Sequence, residues 1–278
     1  MLECVINISE GRDEAVLAAL GAAAGPLLLD THRDPDHHRA VFTLAGEADE
    51  VAEAARRLAE ATVARLELSS HRGAHPRLGV LDVVPFTPYL PGRPPPADLD
   101  ETSKLRDAFA RWLGTDLGVP TFRYGPLPGG LHRTLPEVRR DAFGRLAPDF
   151  GPNRPHRTAG ATAVGARRVL VAYNLWVSSL EVARGVAPLI RGPEVRALGL
   201  AVGARAQVSC NLIDPAGFGP ERLFDITTRL VEEAGGSVLG AELVGLLPRV
   251  VLDAIPAARW PELGLSAALT VEARLKGG

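Results

Sequence analysis

Val169-Leu170-Val171-Ala172-Tyr173-Asn174-Leu175 is the stretch on which the fold turns. Its apolar residues form a short run without helical spacing, which reads as a strand buried in a sheet. A helix follows over Ser179–Ile190, then strands near Leu200–Ile213, a helix over Glu221–Ala234 and a strand at Ser237–Leu247. That β-α-β-β-α-β order is the order of a ferredoxin-like sandwich. Working back toward the N-terminus, the same order recurs. Leu2–Ile8 reads as a strand and Asp13–Ala24 as a helix. Pro26–Asp30 and Arg39–Leu44 read as strands separated by the Asp/Pro/His-rich segment Thr31–His38. Glu47–Leu66 interleaves charged and apolar residues at three and four spacing, an amphipathic helix, and Leu78–Pro85 is strand-like. Leu105–Leu117 is helical and Val119–Tyr124 extended.

Between Gly125 and Thr162 the pattern weakens, with Pro126, Pro128, Gly129, Gly130, Pro148, Gly151, Pro152 and Pro155 around one helical piece near Pro136–Phe143. A long punctuated stretch in a compact protein is usually a functional loop or a linker. The expectation is an α/β (α+β) chain of two ferredoxin-like subdomains, 1–169 and 170–278, each a mixed or antiparallel sheet with helices packed on it.

The 278 residues suit one large domain or two small ones and are enough to bury a core without disulfides or metal. A net charge of −2 gives no global reason to bind nucleic acid or an anionic membrane. Cys4 and Cys210 are too few for a disulfide framework or a cysteine zinc site. The start lacks a basic n-region, and the uncharged stretch Ala15–Leu29 is shorter than a bilayer span and broken by Gly21, Gly25 and Pro26. A cytoplasmic protein is expected. Lys104 and Lys276 are the only lysines among 31 basic residues, and Gln207 is the only glutamine. A thermophile and a GC-rich genome both account for that bias.

All seven histidines lie in the first 156 residues, so histidine chemistry would belong to the first half. In His71-Arg72-Gly73-Ala74-His75-Pro76-Arg77, the i, i+4 pair His71/His75 has zinc spacing, but Gly73 and Pro76 oppose a helix carrying both. A histidine between Gly and Pro with an arginine two residues on suits proton transfer beside an anionic substrate. His32-Arg33-Asp34-Pro35-Asp36-His37-His38-Arg39 carries a pattern seen in manganese phosphoesterases, whose ligands are spread over several strand ends rather than one loop. Asp34-Pro35-Asp36 is also ordinary turn chemistry. Gly160–Arg167 has the glycine spacing of a phosphate loop without its Lys-Ser/Thr, leaving a glycine-bounded turn open to close approach by a ligand. Arg154, Arg157, Arg167 and Arg168 form a basic cluster, a solvated face or an anion-binding wall.

A series of short motifs resembles the formiminotransferase domain of the formiminotransferase-cyclodeaminases and their stand-alone bacterial relatives. In order these are Glu3-Cys4-Val5…Asn7…Ser9-Glu10-Gly11, Leu28-Leu29-Asp30, and His75-Pro76-Arg77…Gly79…Leu81-Asp82-Val83…Pro85-Phe86. Thr134-Leu135-Pro136, Pro148-Asp149-Phe150-Gly151-Pro152 and Gly160-Ala161-Thr162…Gly165-Ala166-Arg167 come next. Gln207-Val208-Ser209…Asn211-Leu212 and Leu243-Val244-Gly245-Leu246…Pro248 complete the series. The resemblance runs from residue 3 to about residue 250.

It implies a tetrahydrofolate-dependent transferase of histidine degradation and one-carbon metabolism, a homodimer with a folate tunnel between its subdomains and no metal. The reaction implied moves the formimino group between N-formimino-L-glutamate and tetrahydrofolate, giving 5-formimino-tetrahydrofolate and L-glutamate. The family's catalytic histidine falls on His75, in the N-terminal subdomain, with Arg77 as the guanidinium beside it. Its folate-binding stretch falls on Gly151, Pro152, Asn153, Arg154, Pro155, His156, Arg157, Thr158, Ala159 and Gly160. Asn7, His32 and Arg39 are further substrate-binding candidates, His32 standing where the animal enzymes carry aspartate. No all-helical cyclodeaminase domain follows, which implies one activity. Three alternatives stay open: formyl transfer from 5-formyltetrahydrofolate to glutamate, a folate-binding protein without turnover, and a metal phosphoesterase.

Overall fold

A computed structural model describes residues 1–73, 77–94, 96 and 98–276. The chain divides into two compact units. One comprises Met1–Tyr89 with Pro96–Arg167, the other Arg168–Gly278 with the short segment Leu90–Pro95.

The first unit opens with β1 (Leu2–Ile8), α1 (Glu14–Ala24), β2 (Leu28–Asp34), β3 (Arg39–Gly46), α2 (Ala48–Arg65) and β4 (Leu81–Pro88). It continues with α3 (Asp100–Thr115), β5 (Thr121–Pro126), β6 (His132–Arg133), α4 (Leu135–Asp141) and β7 (Thr162–Ala166). Among the described residues these strands form one sheet in the order β2-β3-β1-β4-β7-β5-β6. The first four make the antiparallel ferredoxin-like core, and β7 extends it by pairing parallel to both β4 and β5. Leu17 and Leu20 of α1, Val51 and Leu58 of α2, and Phe109 and Leu113 of α3 pack on Cys4, Ile6, Ile8, Phe42, Leu44, Val84 and Phe86. Each fully buried aliphatic or aromatic side chain contributes roughly 1.5–3 kcal/mol. Burial raises the pKa of the Cys4 thiol, so it acts as a small apolar residue.

The second unit contains β8 (Val171–Val177), α5 (Leu180–Ile190), β9 (Val195–Val202), β10 (Arg205–Leu212), α6 (Pro220–Glu233) and β11 (Val238–Val244), followed by the short helices α7 (Arg249–Asp253) and α8 (Val271–Lys276). Its sheet is antiparallel, in the order β11-β8-β10-β9, the ferredoxin-like arrangement expected from the strand-helix order. Tyr173, Leu175, Val208, Cys210 and Leu243 face Val186 of α5 and Leu223 and Val231 of α6. The Tyr173 hydroxyl donates to the carbonyl oxygen of Leu263 at 2.7 Å, and Arg259 reaches Asp225 at 2.8 Å, tying the C-terminal segment to β8 and α6.

Three sequence expectations change. Thr31–Asp34, expected between strands, continues β2, because backbone pairing with Arg39–Phe42 needs no apolar side chains. The strand expected at Leu78–Pro85 lies at Leu81–Pro88 and runs through Pro85, which pairs in parallel register with Gly165. The glycine-bounded turn expected over Gly160–Arg167 is a turn only at its start. Thr162–Ala166 is a buried central strand, and a side chain at Gly165 would collide with the Tyr124 ring.

Two glycines of the second unit test this packing. A Cβ on Gly199 of β9 would lie 2.5 Å from the backbone carbonyl carbon of Ala183 in α5, whereas one on Gly185 of α5 meets nothing within 4 Å. Gly199→Ala should lower unfolding stability by roughly 1–3 kcal/mol. Gly185→Ala should raise it by about 0.5–1 kcal/mol through helix propensity. Urea unfolding of the two variants checks both signs; equal effects would mean that α5 does not sit directly on β9.

Candidate functional site

The alternation of each strand separates core from chemistry. In β1 and β3 the core takes Ile6, Ile8, Phe42 and Leu44, so Asn7, Val41 and Thr43 stand on the opposite face. Register aligns His32 with Val41 and Val41 with Asn7, and pairs Asp34 with Arg39. The three substrate-binding candidates Asn7, His32 and Arg39 therefore share the face away from α1 and α2. Asn7 is half-buried, with its amide donating to the carbonyl of Val5 at 3.2 Å.

At the end of these strands three loops interlock. Asp34 accepts from the backbone N–H of His37 at 2.8 Å and from His37 Nδ1 at 2.6 Å, and His37 is buried. Burial would raise the Asp34 carboxyl. The two His37 hydrogen bonds, with the nearby charges of His37 and Arg39, outweigh it and hold the pKa at about 2. Glu10 accepts from the backbone N–H groups of Gly11, Arg12 and Asp13 at 2.8, 2.7 and 3.0 Å. It also lies 3.2 Å from His38 Nε2. Here too burial pushes upward, and the Asp13 and Arg12 N–H groups, His38 and the Gly11 N–H hold the carboxyl below its ordinary value.

His38, with φ at 51°, stacks on His71 with ring centroids 4.1 Å apart. His71 Nε2 lies 2.6 Å from both the His38 carbonyl oxygen and Nη1 of Arg77. Nη2 of Arg77 donates to the Gly73 carbonyl at 2.7 Å. Burial, set against the neighbouring Asp82 and added to by Arg139, lowers the Arg77 pKa from the ordinary guanidinium value. Gly73 has no room for a Cβ, which would fall on the His37 carbonyl oxygen. His75 lies outside the described residues; its flanks, Gly73 and Arg77, are bonded to each other.

The Gly151–Gly160 stretch has two parts. Gly151, Pro152, Asn153, Arg154 and Pro155 are exposed, as is Arg157. His156 to Gly160 form a tight turn: His156 and Gly160 exchange backbone hydrogen bonds of 2.8 and 3.0 Å, and the His156 Nδ1 accepts from the Ala159 N–H at 3.1 Å. The Val80 N–H donates to Ala159, the Leu68 N–H donates to Thr158, and Gly160 bridges Gly79. The structure thus brings the end of this stretch onto the segment that follows Arg77.

The N-terminal subdomain of the formiminotransferase domain matches residues 1–167. The glutamate formimidoyltransferase of Streptococcus pyogenes serotype M1 is 34% identical over 275 residues, covering 91% of this chain and 90% of that protein. The chain belongs to the formiminotransferase family. A glutamate formimidoyltransferase from Thermoplasma acidophilum is 28% identical, covering 91% and 89%. The formimidoyltransferase-cyclodeaminase of Sus scrofa is 35% identical over 91% of this chain, which spans 51% of its length. The chain therefore spans about half the length of the formimidoyltransferase-cyclodeaminases it matches.

Within the formiminotransferase frame, the structure adds residues that sequence reading passed over. Glu10 and Asp82 stood inside quoted motifs without a role. Asp82, buried, accepts from the Leu78 N–H and from Arg139, each at 2.6 Å, fixing the backbone just after Arg77. Of Asp34, His37 and His38, set aside as a turn or a metal pattern, Asp34 and His37 hydrogen-bond to each other and His38 bonds to Glu10. Among the described residues no three His, Cys, Asp or Glu side chains are placed to share one ion. No helix among them is long and apolar enough to cross a membrane.

The Asp34–His37 pair carries a pH prediction. A carboxyl whose folded pKa is depressed to about 2 stabilises the fold fully above its unfolded value of 3.8 and loses that contribution as pH falls toward 2. Asp34→Asn should be less stable than wild type at pH 6, and the gap should close between about pH 4 and pH 2. Thermal unfolding across that range checks it; a gap unchanged at pH 2 would assign the stabilisation to shape rather than charge.

Proposed function

We propose that the chain is a glutamate formimidoyltransferase, transferring the formimino group between N-formimino-L-glutamate and tetrahydrofolate. The observation that supports this reading is the Gly79–Gly160 bridge, which joins the segment after the His71–Arg77 heptad to the end of the proposed folate stretch. Both family stretches belong to the first unit, which suits a reaction between two bound substrates.

In the forward step, N5 of tetrahydrofolate attacks the formimino carbon. A C–N5 bond forms, and the tetrahedral intermediate breaks its bond to the glutamate nitrogen. One proton must leave N5 and one must reach the departing nitrogen. His75 is the group proposed to move it, as base and then as acid, since an imidazole titrates near neutrality. Arg77 is proposed to orient a substrate carboxylate with its planar fork. To do so it would exchange its bonds to Gly73 and His71. Gly151–Gly160 is proposed to hold the folate, with the exposed Arg154 and Arg157 meeting its anionic tail, and Asn7, His32 and Arg39 to contact substrate. Residues 1–169 and 170–278 are proposed as the two subdomains. A cytoplasmic setting and a homodimer complete the reading, and a light-scattering mass near twice 29.4 kDa checks the latter.

His75→Ala should cut turnover by roughly 10²–10⁴-fold while tetrahydrofolate binding stays within a few-fold of wild type. Steady-state kinetics alongside calorimetric binding separates the two quantities. Near wild-type transfer by this variant would move the proton-transfer role to the His32–His38 segment.

A further inference from the structure

His71 is buried in the first unit and is assigned no work in the reading above. Its Nε2 lies 2.6 Å from the His38 carbonyl oxygen and also 2.6 Å from Nη1 of Arg77. A carbonyl only accepts a hydrogen bond and a guanidinium only donates one. A ring nitrogen carries either a proton or a lone pair, so it serves one of these neighbours at a time. As a lone pair Nε2 accepts from Arg77; protonated, it donates to His38.

Nδ1 of His71 is buried and has no hydrogen-bond partner among the described residues, so the two neutral tautomers differ in bonding at Nε2 alone. The ring is also confined. It stacks on His38 with centroids 4.1 Å apart, and a Cβ on Gly73 would fall 2.8 Å from its Cε1. His38 is fixed in turn, with Nε2 facing Glu10 and Nδ1 facing the Arg72 carbonyl, each at 3.2 Å. Its φ of 51° lies in the left-handed region that few residues other than glycine occupy, and from that backbone its carbonyl reaches His71. The position of a proton, and not rotation of the ring, therefore decides which neighbour is bonded.

Such a nitrogen can let go of Arg77 without being left unpaired, because a second partner already stands within reach. Resting on the formimidoyltransferase reading, in which Arg77 orients a substrate carboxylate, we propose that His71 is the positioning residue of that arginine. Before substrate binds, the Nδ1–H tautomer holds Nη1 through the Nε2 lone pair. When the guanidinium turns to a carboxylate of N-formimino-L-glutamate, one proton leaves Nδ1 and one reaches Nε2 by exchange with water. The ring stays neutral and donates to the His38 carbonyl. His71 thus presents the arginine in place and then releases it, and it takes no part in moving protons between the substrate nitrogens.

The test uses the full chain. Imidazole nitrogen NMR shifts of wild type, with the His71 signals assigned by their loss in His71→Gln, separate the tautomers. Nε2 should be unprotonated in the free protein and protonated with saturating N-formimino-L-glutamate in the absence of folate. His71→Phe keeps a ring and removes Nε2, and His71→Gln restores a group that accepts or donates there. His71→Phe should raise KM for N-formimino-L-glutamate about tenfold, with kcat within about threefold of wild type. His71→Gln should recover most of that loss. In an Arg77→Gln background, His71→Phe should change the same KM by less than about twofold, because the residue it acts through is gone. The wild-type shifts keep the test standing if His71→Phe folds poorly. An equal rise in both backgrounds, or one tautomer with and without substrate, would overturn the proposal. A KM unchanged by Arg77→Gln would remove the carboxylate role of Arg77 and the proposal with it. A wild-type chain that neither binds nor turns over N-formimino-L-glutamate would overturn the functional reading itself.

Discussion

A strand sends alternate side chains to opposite faces of its sheet, and in this chain each sheet commits one of those sets to helices. In the first unit the helices take Cys4, Ile6, Ile8, Phe42 and Leu44, which puts Asn7, His32 and Arg39 on the other side. In the second they take Tyr173, Leu175, Val208 and Cys210, which puts Asn174, Gln207 and Glu242 on the other side. A slip of one residue in any pairing would exchange these sets, turning the core residues away from the helices and the polar row onto them. Register is therefore the constraint from which the chemistry of both units follows.

A second requirement is close backbone approach where the loops of the first unit meet. Gly11 has no room for a side chain against Asp34 and Arg39, Gly73 none against His37, and Gly79 none against Ala159 and Ala161. These contacts let the 9–13, 34–39, 71–73 and 77–80 segments come together closely enough for Glu10 to reach His38 and for His71 to reach both His38 and Arg77. Glycine is the residue that permits it.

Much of the architecture was legible because the patterns are strong. The three and four spacing of α2 and the strand-helix order after Val169 require only hydrophobic periodicity. Thr31–Asp34 was not legible as strand, since an edge strand of polar residues is held by backbone bonds that leave no mark on composition. The motifs of the candidate site stand in the sequence; their pairings do not. Glu10 and His38 lie 28 residues apart, and Arg139 and Asp82 57 apart, so only the folded chain joins them. Gln207 was visible as part of a motif and as the sole glutamine, but its buried, half-paired amide appears only once β8, β10 and β11 are in register.

We propose His75 for proton transfer, Arg77 for a carboxylate and Gly151–Gly160 for folate; among the described residues the Gly79–Gly160 bridge joins the segment after Arg77 to the end of that stretch, and the chemistry that fits this set is group transfer between two nitrogens. Mass-resolved product analysis of two parallel reactions of the wild-type chain tests this most directly: N-formimino-L-glutamate with tetrahydrofolate, and L-glutamate with 5-formyltetrahydrofolate. The account predicts 5-formimino-tetrahydrofolate and L-glutamate from the first reaction, at a rate far above the enzyme-free control. Product from the second reaction alone, or from neither while tetrahydrofolate still binds, would contradict it.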